Sequence, residues 1–501
     1  MKILLIDPPY TLFTGFTSRY FPVGLGYVAS ALKAAGHEVS IYEVDRENMD
    51  TGDLNFNEEY LRLNKYLEAI NSNEHEIWQK LKKVVKEYNP DAIGITSMTM
   101  KFGSAIKTAE MCKSVKPEVK VIMGGPHVTD WVEICFQSTN VDICVSGETE
   151  ETIVKILNTL HNPEGLADIP GVSYKKENKI FYGKPCIYIE DINTISMPLR
   201  ESLLNIDHYS SEDMGVIMTS RGCPFRCAFC SHPQKVRYRN LDNVIEEIKH
   251  VIVKYHTKQF AFKDDSFTVS KKRVIQFCEM LIKEGIQINW DCTTRVDILD
   301  DELIGIMKKA GCNTIKVGIE TGSQRILEKM NKKVTFEQMK YAAKLFKKHK
   351  MFWSGYFMFG LPYETKEEMM QTLKFMKELK PNYAGLGLYA PIPNTELWKE
   401  GIESGLLDAN IRIDHFFNTN PKDYFFKDKK KRVLSMEEKE FEELSKYLMN
   451  EFNKHNTGIL VLMKRGWSRK NAYLKDFKLL YNDINKAMKW LFHVSSNGKN
   501  K

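Results

Sequence analysis

Apolar runs of strand length alternate with helix-length amphipathic stretches along most of this 501-residue chain, and that alternation narrows the fold to α/β. In the first third, strands are expected at Ile3–Ile6, Glu38–Val44, Ala92–Ile95, Lys120–Met123 and Val141–Val145. Between them lie helical patterns at 26–35, ending at Gly36 as a C′ glycine, at about 104–114, and from near Glu148. A polar insertion, 47–89, interrupts the series and turns helical from Glu74. Such a pattern reads as a doubly wound, Rossmann-like parallel sheet, which binds ligands beyond the carboxyl ends of its strands. Loop-forming residues gather there: Asp7-Pro8-Pro9, Thr96-Ser97-Met98-Thr99, Gly124-Gly125-Pro126-His127 and Ser146-Gly147-Glu148. Glycines and small hydroxyl residues let a bulky ligand approach the backbone.

Residues 161–205 read as a linker that holds a hairpin-like run from Gly171 to Tyr182 and a polar connector to Pro198. Alternation then resumes. Strands are expected at Val216–Thr219, Lys258–Lys263, Gln287–Cys292, Thr314–Ile319, Phe352–Phe359 and Tyr383–Leu388. Helices at 242–254, 273–284 and 301–310 separate the first four, and capping boxes at Thr335 and Thr365 open two more. The end of the first of these strands delivers Arg221-Gly222-Cys223-Pro224-Phe225-Arg226-Cys227-Ala228-Phe229-Cys230, a C-x3-C-x2-C spacing. Thiolates are soft ligands for iron–sulfur clusters and zinc. Three of them do not close a structural zinc site, and His232 lies too near Cys230 to complete one. A [4Fe–4S] cluster on three thiolates keeps one iron open. The seven other cysteines are scattered in apolar surroundings, as buried free thiols are.

The C-x3-C-x2-C run resembles the signature of the radical S-adenosylmethionine (SAM) superfamily. The resemblance implies a partial (β/α)6 barrel over about 206–400, with Cys223, Cys227 and Cys230 holding the cluster and SAM on its open iron. Lys263-Asp264-Asp265-Ser266-Phe267-Thr268 resembles the acidic run of the cobalamin-type members. It implies that Asp264 and Asp265 accept the SAM ammonium. Arg295 would take the SAM carboxylate, Glu320 the ribose hydroxyls, and the Gly360 turn the adenine. Singly, each has an ordinary alternative: a turn or N-cap for the aspartates, an ion pair for Arg295, a helix cap for Glu320.

Upstream, Pro22-Val23-Gly24-Leu25-Gly26-Tyr27, Ala35-Gly36-His37-Glu38-Val39, Met123-Gly124-Gly125-Pro126-His127 and Ser146-Gly147-Glu148 resemble the cobalamin-binding domain that precedes many radical SAM domains. That likeness covers 1–160. It implies a cobalamin crevice lined by Pro9, Gly24, Ser97, Gly124, Gly125, Gly147 and Glu148. No D-x-H-x-x-G pattern occurs, so cobalamin is expected base-off without a histidine ligand, and His127 is expected to be a packing residue. Gly24-Leu25-Gly26-Tyr27-Val28-Ala29 also matches the dinucleotide fingerprint G-x-G-x-x-A, but it sits far past the tip of the first strand.

A helical C-terminal region is expected over 401–501. It has a capping box at Ser435, a helix with Phe441, Leu444, Leu448 and Phe452 on one face, and a second amphipathic stretch at 473–492. It is expected to cover the mouth of the active site. The run 427–432 beside Tyr424-Phe425-Phe426 reads as a solvated charged stretch, with a surface for an anionic or lipid-like substrate as the alternative. A net charge of +7 is too small and dispersed for nucleic acid, and no segment has the length of a transmembrane span. A reducing, cytoplasmic location follows as the expectation. The domain pair implies a cobalamin-dependent radical SAM methyltransferase acting on an unactivated carbon of a small-molecule or lipid-like substrate. An external electron donor such as a flavodoxin or ferredoxin is expected. A radical SAM oxidative cyclase is the enzyme alternative, and a non-catalytic cobalamin or redox sensor the alternative of another class.

Overall fold

The computed structural model describes residues 1–14, 20–47, 59–161, 163–177, 179–428 and 431–457, together with 466, 481 and 484. The stretch 473–492, expected to be helical, therefore falls outside the described residues apart from Tyr481 and Ile484. Two compact units emerge, and neither is a continuous segment. The first takes 1–49, 63–264 and 390–427; the second takes 50–62, 265–389 and 428–501.

In the first unit, β1 (Lys2–Asp7), α1 (Val23–Ala34), β2 (Glu38–Glu43), α2 (Glu76–Tyr88), β3 (Ala92–Thr96), α3 (Phe102–Val115), β4 (Lys120–Gly124), β5 (Ile143–Val145) and α4 (Glu150–Thr159) realise the expected alternation. The apolar runs Ile3–Ile6 and Ala92–Ile95 are buried throughout, because helices cover both faces of a parallel sheet. Two more strands, β6 (Val172–Lys176) and β7 (Lys179–Phe181), continue the sheet in antiparallel fashion, giving the order β2-β1-β3-β4-β5-β6-β7. The hairpin-like run expected within the linker is thus the edge of this sheet, joined to it through β5.

Part of the C-terminal region returns to this unit. Phe416, Tyr424, Phe425 and Phe426 enter the same buried cluster as Phe102, Val128 and Ile134. Gly103 of α3 lies so close to the Phe416 carbonyl that a Cβ there would stand 2.9 Å from it. The aromatic triplet at 424–426 is core, and Arg432 beyond it is buried and donates to the Tyr389 carbonyl at 3.3 Å.

The first unit also holds β8 (Val216–Ile217), β9 (Ser220–Arg221), β10 (Arg237–Tyr238), α5 (Leu241–Tyr255) and β11 (Gln259–Phe262). β8 pairs in parallel with β11, while β9 and β10 form an antiparallel ribbon around residues 222–236.

The second unit carries α6 (Lys271–Lys283), β12 (Asn289–Thr294), α7 (Asp301–Lys309), β13 (Cys312–Glu320), α8 (Gln324–Lys329), α9 (Phe336–Lys348), β14 (Phe352–Phe359), α10 (Lys366–Leu379) and β15 (Tyr383–Leu388). The four strands pair in parallel in chain order. Both anticipated capping boxes form, Thr335 with Gln338 and Thr365 with Glu368. That at Ser435 does not: the helix α11 spans Glu438–Thr457, and Ser435 Oγ donates to the Glu364 carbonyl at 2.6 Å instead. The apolar face of α11 is buried as expected, but against Phe357 and Phe359 of β14. Those two rings point away from Tyr356, the exposed residue of that strand, so α11 backs the sheet and does not cover its accessible face. Asn456 closes the edge by exchanging two 2.8 Å hydrogen bonds with the backbone of Ala384.

Candidate active site

The three cysteines share the loop between β9 and β10. Gly222 opens it at φ +90°, and a Cβ there would run into the Lys235 carbonyl. The Cys223 N–H donates to the Pro233 carbonyl at 2.9 Å, and the Cys230 N–H to the Cys227 carbonyl at 3.1 Å. Cys223 and Cys227 are half-buried and Cys230 is exposed, whereas six of the other cysteines are buried. Among the described residues no group of three or more His, Cys, Asp or Glu side chains is gathered to hold a metal ion, the three loop cysteines included. What the loop offers is three accessible thiols on a short, internally bonded turn. That donor set fits a cluster with a vacant iron.

Both ends of the loop are tied to the N-terminal sheet. Before the first cysteine, Arg221 Nη2 meets Glu150 Oε1 at 2.5 Å and Arg221 Nη1 meets Glu148 Oε1 at 3.3 Å. Its guanidinium also lies over the Tyr27 ring, 5.1 Å from the centroid. Arg237, the cross-strand partner of Arg221, grips Glu148 with both Nη atoms at 2.7 and 2.9 Å. Burial disfavours the charged Glu148 carboxylate, but Arg237, Arg221 and the Ile189 N–H outweigh it and hold its pKa below the usual range. After the last cysteine, Ser231 Oγ donates to Asp130 Oδ1 at 2.7 Å. Glu148, expected in the cobalamin crevice, therefore spends its carboxylate on the arginines flanking the cluster loop.

Asp264 is equally committed. Its carboxylate accepts from the Thr219 N–H at 2.6 Å, Thr219 Oγ1 at 2.5 Å and Ser220 Oγ at 2.7 Å. Burial nevertheless pushes this carboxyl above its ordinary pKa. Asp264 thus fastens the strand leading to Cys223, and its half-buried neighbour Asp265 is the more accessible carboxylate of the pair.

In the second unit, Arg295 clasps Asp297 with two 2.9 Å bonds and donates to the Lys332 carbonyl at 2.6 Å. Glu320 pairs with Lys332 Nζ at 2.5 Å and holds a left-handed backbone at φ +69°, which a non-glycine residue adopts only when its surroundings enforce it. It is an ion-pair member and not a helix cap. Gly360, at φ +79°, donates its N–H to Glu364 Oε2 at 2.7 Å. Glu364 also accepts from Leu361 N–H at 3.2 Å, and burial pushes its carboxyl up to about 8. Sequence reasoning missed Lys332 and Glu364, since each acts from a neighbouring turn with no motif of its own.

In the N-terminal sheet, the strand order reverses between β1 and β3, the switch point at which such sheets open a crevice. The Pro8-Pro9 loop is held there by Asp45, which accepts from the N–H groups of Tyr10, Thr11 and Leu12 at 2.6, 3.1 and 3.0 Å. Ser104 Oγ donates to the Pro9 carbonyl at 2.5 Å. Ser97 is fully buried and its Oγ has no protein partner. Gly125, at φ +103°, lies against Ser97, and a Cβ would stand 2.7 Å from its carbonyl oxygen. A Cβ on Gly124 would meet nothing closer than 3.6 Å, and one on Gly24, in the first turn of α1, nothing within 4 Å. The orphaned Ser97 hydroxyl lies beside Gly125 at the carboxyl end of the sheet and is a polar group available to a ligand resting on that backbone. Gly147, at φ +81°, instead packs on Cys186. Gly26 packs on Phe21 and Pro198, so the G-x-G pair does not form a phosphate turn. His127 is fully buried with its ring 4.2 Å from Phe102, and burial drives its pKa down to about 3. It is a packing histidine.

Two family models match this chain: the B12 binding domain over residues 11–157 and the radical SAM superfamily over residues 217–376. A methyltransferase of Pyrococcus horikoshii, itself described as uncharacterized, is 34% identical over 438 residues, 83% of this chain and 89% of that protein. The anaerobic magnesium-protoporphyrin IX monomethyl ester cyclase of Rubrivivax gelatinosus is 28% identical over 80% of this chain and 70% of its own length. The fold is that of the radical SAM methyltransferase TsrM from Kitasatospora setae, solved with cobalamin and a [4Fe–4S] cluster (TM-score 0.62, 16% identity, covering 82% of this chain and 76% of that one). A corrinoid-type sheet and a three-thiol loop bound together in one chain make this protein a member of the cobalamin-dependent radical SAM enzymes, whose cofactors are SAM, a [4Fe–4S] cluster and cobalamin.

Proposed function

We propose that the protein is a methyltransferase that adds a methyl group from SAM to an unactivated carbon of a small-molecule or lipid-like substrate. The observation that carries this is the 34% identity to a methyltransferase across 89% of its length, over both cofactor domains. When bound, the cluster supplies the electron that cleaves SAM and cobalamin supplies the carrier for the methyl group. The chain's part is to hold them. Cys223, Cys227 and Cys230 ligate the cluster; Asp264 fixes the strand that presents them. Asp265, Arg295, Glu320 and Gly360 form the SAM side, with Arg295 and Glu320 acting through their pairs with Asp297 and Lys332. Pro9, Gly24, Ser97, Gly124, Gly125, Gly147 and Glu148 form the cobalamin side, Gly147 and Glu148 by shaping its wall.

In domain terms, 1–160 is the cobalamin module, 161–205 its connection, 206–400 the radical module and 401–501 a C-terminal region. A low-potential flavodoxin or ferredoxin delivers the electron, and the reaction belongs in the reducing cytoplasm. An oxidative cyclisation is the second reading, favoured by the 28% identity to the Rubrivivax cyclase.

The test is an anaerobic incubation of reconstituted protein with cobalamin, SAM and a strong reductant, followed by chromatography of the nucleosides. Methyl transfer predicts both S-adenosylhomocysteine and 5′-deoxyadenosine. Deoxyadenosine alone favours the cyclase, and neither product from cluster-loaded protein overturns both readings.

A further inference from the structure

The turn after β5 that shapes the proposed cobalamin crevice is the same turn that holds the cluster loop. Glu148 and Glu150 stand just beyond Gly147, and their carboxylates take the guanidinium of Arg221, two residues before Cys223. Arg237, on the far side of the loop, closes on Glu148 from its cross-strand position. Arg221 also rests on Tyr27 of α1, the helix whose first turn carries Gly24. All four charged side chains are at least seven-eighths buried, with side-chain exposures of 12% (Arg221), 12% (Glu148), 8% (Glu150) and 5% (Arg237). Removing one partner leaves an uncompensated buried charge, so loss of Arg221 or Glu150 loosens the contact between this turn and the start of the cysteine loop.

From this geometry we infer that Arg221 is a positioning residue that couples the two cofactor sites: cobalamin in the crevice and the iron–sulfur cluster on the loop each tighten the binding of the other. The inference rests on the proposed cobalamin lining. Ordering the Ser146-Gly147-Glu148 turn from the crevice side orders Glu148 and Glu150, hence Arg221 and the start of the cysteine loop. Ordering the loop by its cluster returns the same free energy to the turn, since coupling between two binding sites is reciprocal. The Ser231–Asp130 bond at the far end of the loop gives the cluster a second route to the N-terminal sheet, so that Arg221 carries the larger part and not the whole.

The experiment measures the dissociation constant of aquacobalamin by absorbance titration, for full-length protein with and without a reconstituted cluster. Wild type is expected to bind cobalamin about ten-fold more tightly when the cluster is present. Arg221→Gln and, separately, Glu150→Gln are expected to reduce that ratio to about two-fold or less while cobalamin still binds; Arg221→Lys is expected to retain part of it. Amide exchange in 222–231 of cluster-free protein should slow when cobalamin is added to wild type and stay unchanged in Arg221→Gln. Equal affinities with and without cluster in wild type, or a full ratio surviving in both glutamine variants, overturns the coupling. Absence of cobalamin binding in wild type would instead overturn the cobalamin lining on which it rests.

Discussion

Asp264 and Thr219 are joined by two hydrogen bonds, the Thr219 N–H at 2.6 Å and its hydroxyl at 2.5 Å, four residues before the first cluster cysteine. A motif aspartate at a strand end thus reaches back to the neighbouring strand instead of out to solvent. Asp264→Ala leaves Thr219 and Ser220 without their buried acceptor and is expected to cost about 2–4 kcal/mol, with reduced iron incorporation. Asp264→Asn, which retains one acceptor oxygen, should cost less. Thermal melts of cluster-free protein and iron assays after reconstitution check both; a neutral Asp264→Ala would contradict the assignment.

Gly222 is the residue the cluster loop cannot exchange. Its positive φ and the Lys235 carbonyl at its Cβ position leave no room for a side chain. Gly222→Ala is expected to destabilise the loop by about 1–3 kcal/mol and to lower iron retention more than it lowers the melting temperature of the whole chain. The same substitution at exposed Gly405, also at positive φ but with open space around it, should leave iron binding unchanged.

Much of this was legible in the sequence. The strand–helix alternation located the parallel strands because apolar runs such as Ile3–Ile6 are buried on both sides, and the cysteine spacing identified the loop directly. What escaped were partners remote in sequence. Glu150 meets Arg221 and Asp130 meets Ser231 only because the ribbon of β9 and β10 folds back on the first sheet. Asp45 and Ser104 hold the Pro9 loop from two other elements. Asp264, Arg295 and Glu148 stand out by residue type, but a sequence does not say whether a charged side chain faces a ligand or a neighbouring element. Residues 424–426 were readable as core aromatics, yet not as core of the N-terminal unit.

His127 follows a Gly-Gly-Pro turn beside the crevice but packs on Phe102 with its ring buried. His127→Ala is expected to cost about 2–4 kcal/mol through the cavity it leaves, and to leave the EPR spectrum of reduced bound cobalamin unchanged. Loss of nitrogen hyperfine splitting in that variant would identify His127 as an axial ligand and contradict the packing role.

Glu364 sets a pH dependence. Burial raises its carboxyl to about 8 against an ordinary 4.5, so the folded protein binds the proton more tightly than the unfolded chain. Its contribution to stability is then fully present below the unfolded value and is lost as the pH rises through about 8. Glu364→Gln, which keeps an acceptor for the Gly360 and Leu361 N–H groups, should flatten the decline in melting temperature between pH 5 and 8. An identical pH profile for wild type and variant would show that Glu364 titrates normally.

The central claim is that this single chain holds an iron–sulfur cluster on Cys223, Cys227 and Cys230 together with cobalamin in its N-terminal sheet. The most direct measurement is anaerobic quantification of iron, sulfide and cobalamin per chain in the reconstituted protein and in the Cys223→Ala/Cys227→Ala/Cys230→Ala triple variant. Wild type is expected to hold about four irons and about one cobalamin, and the triple variant to lose the iron while still binding cobalamin, though less tightly. Full iron content in the triple variant, or a wild type that takes up iron but no cobalamin, would contradict the account.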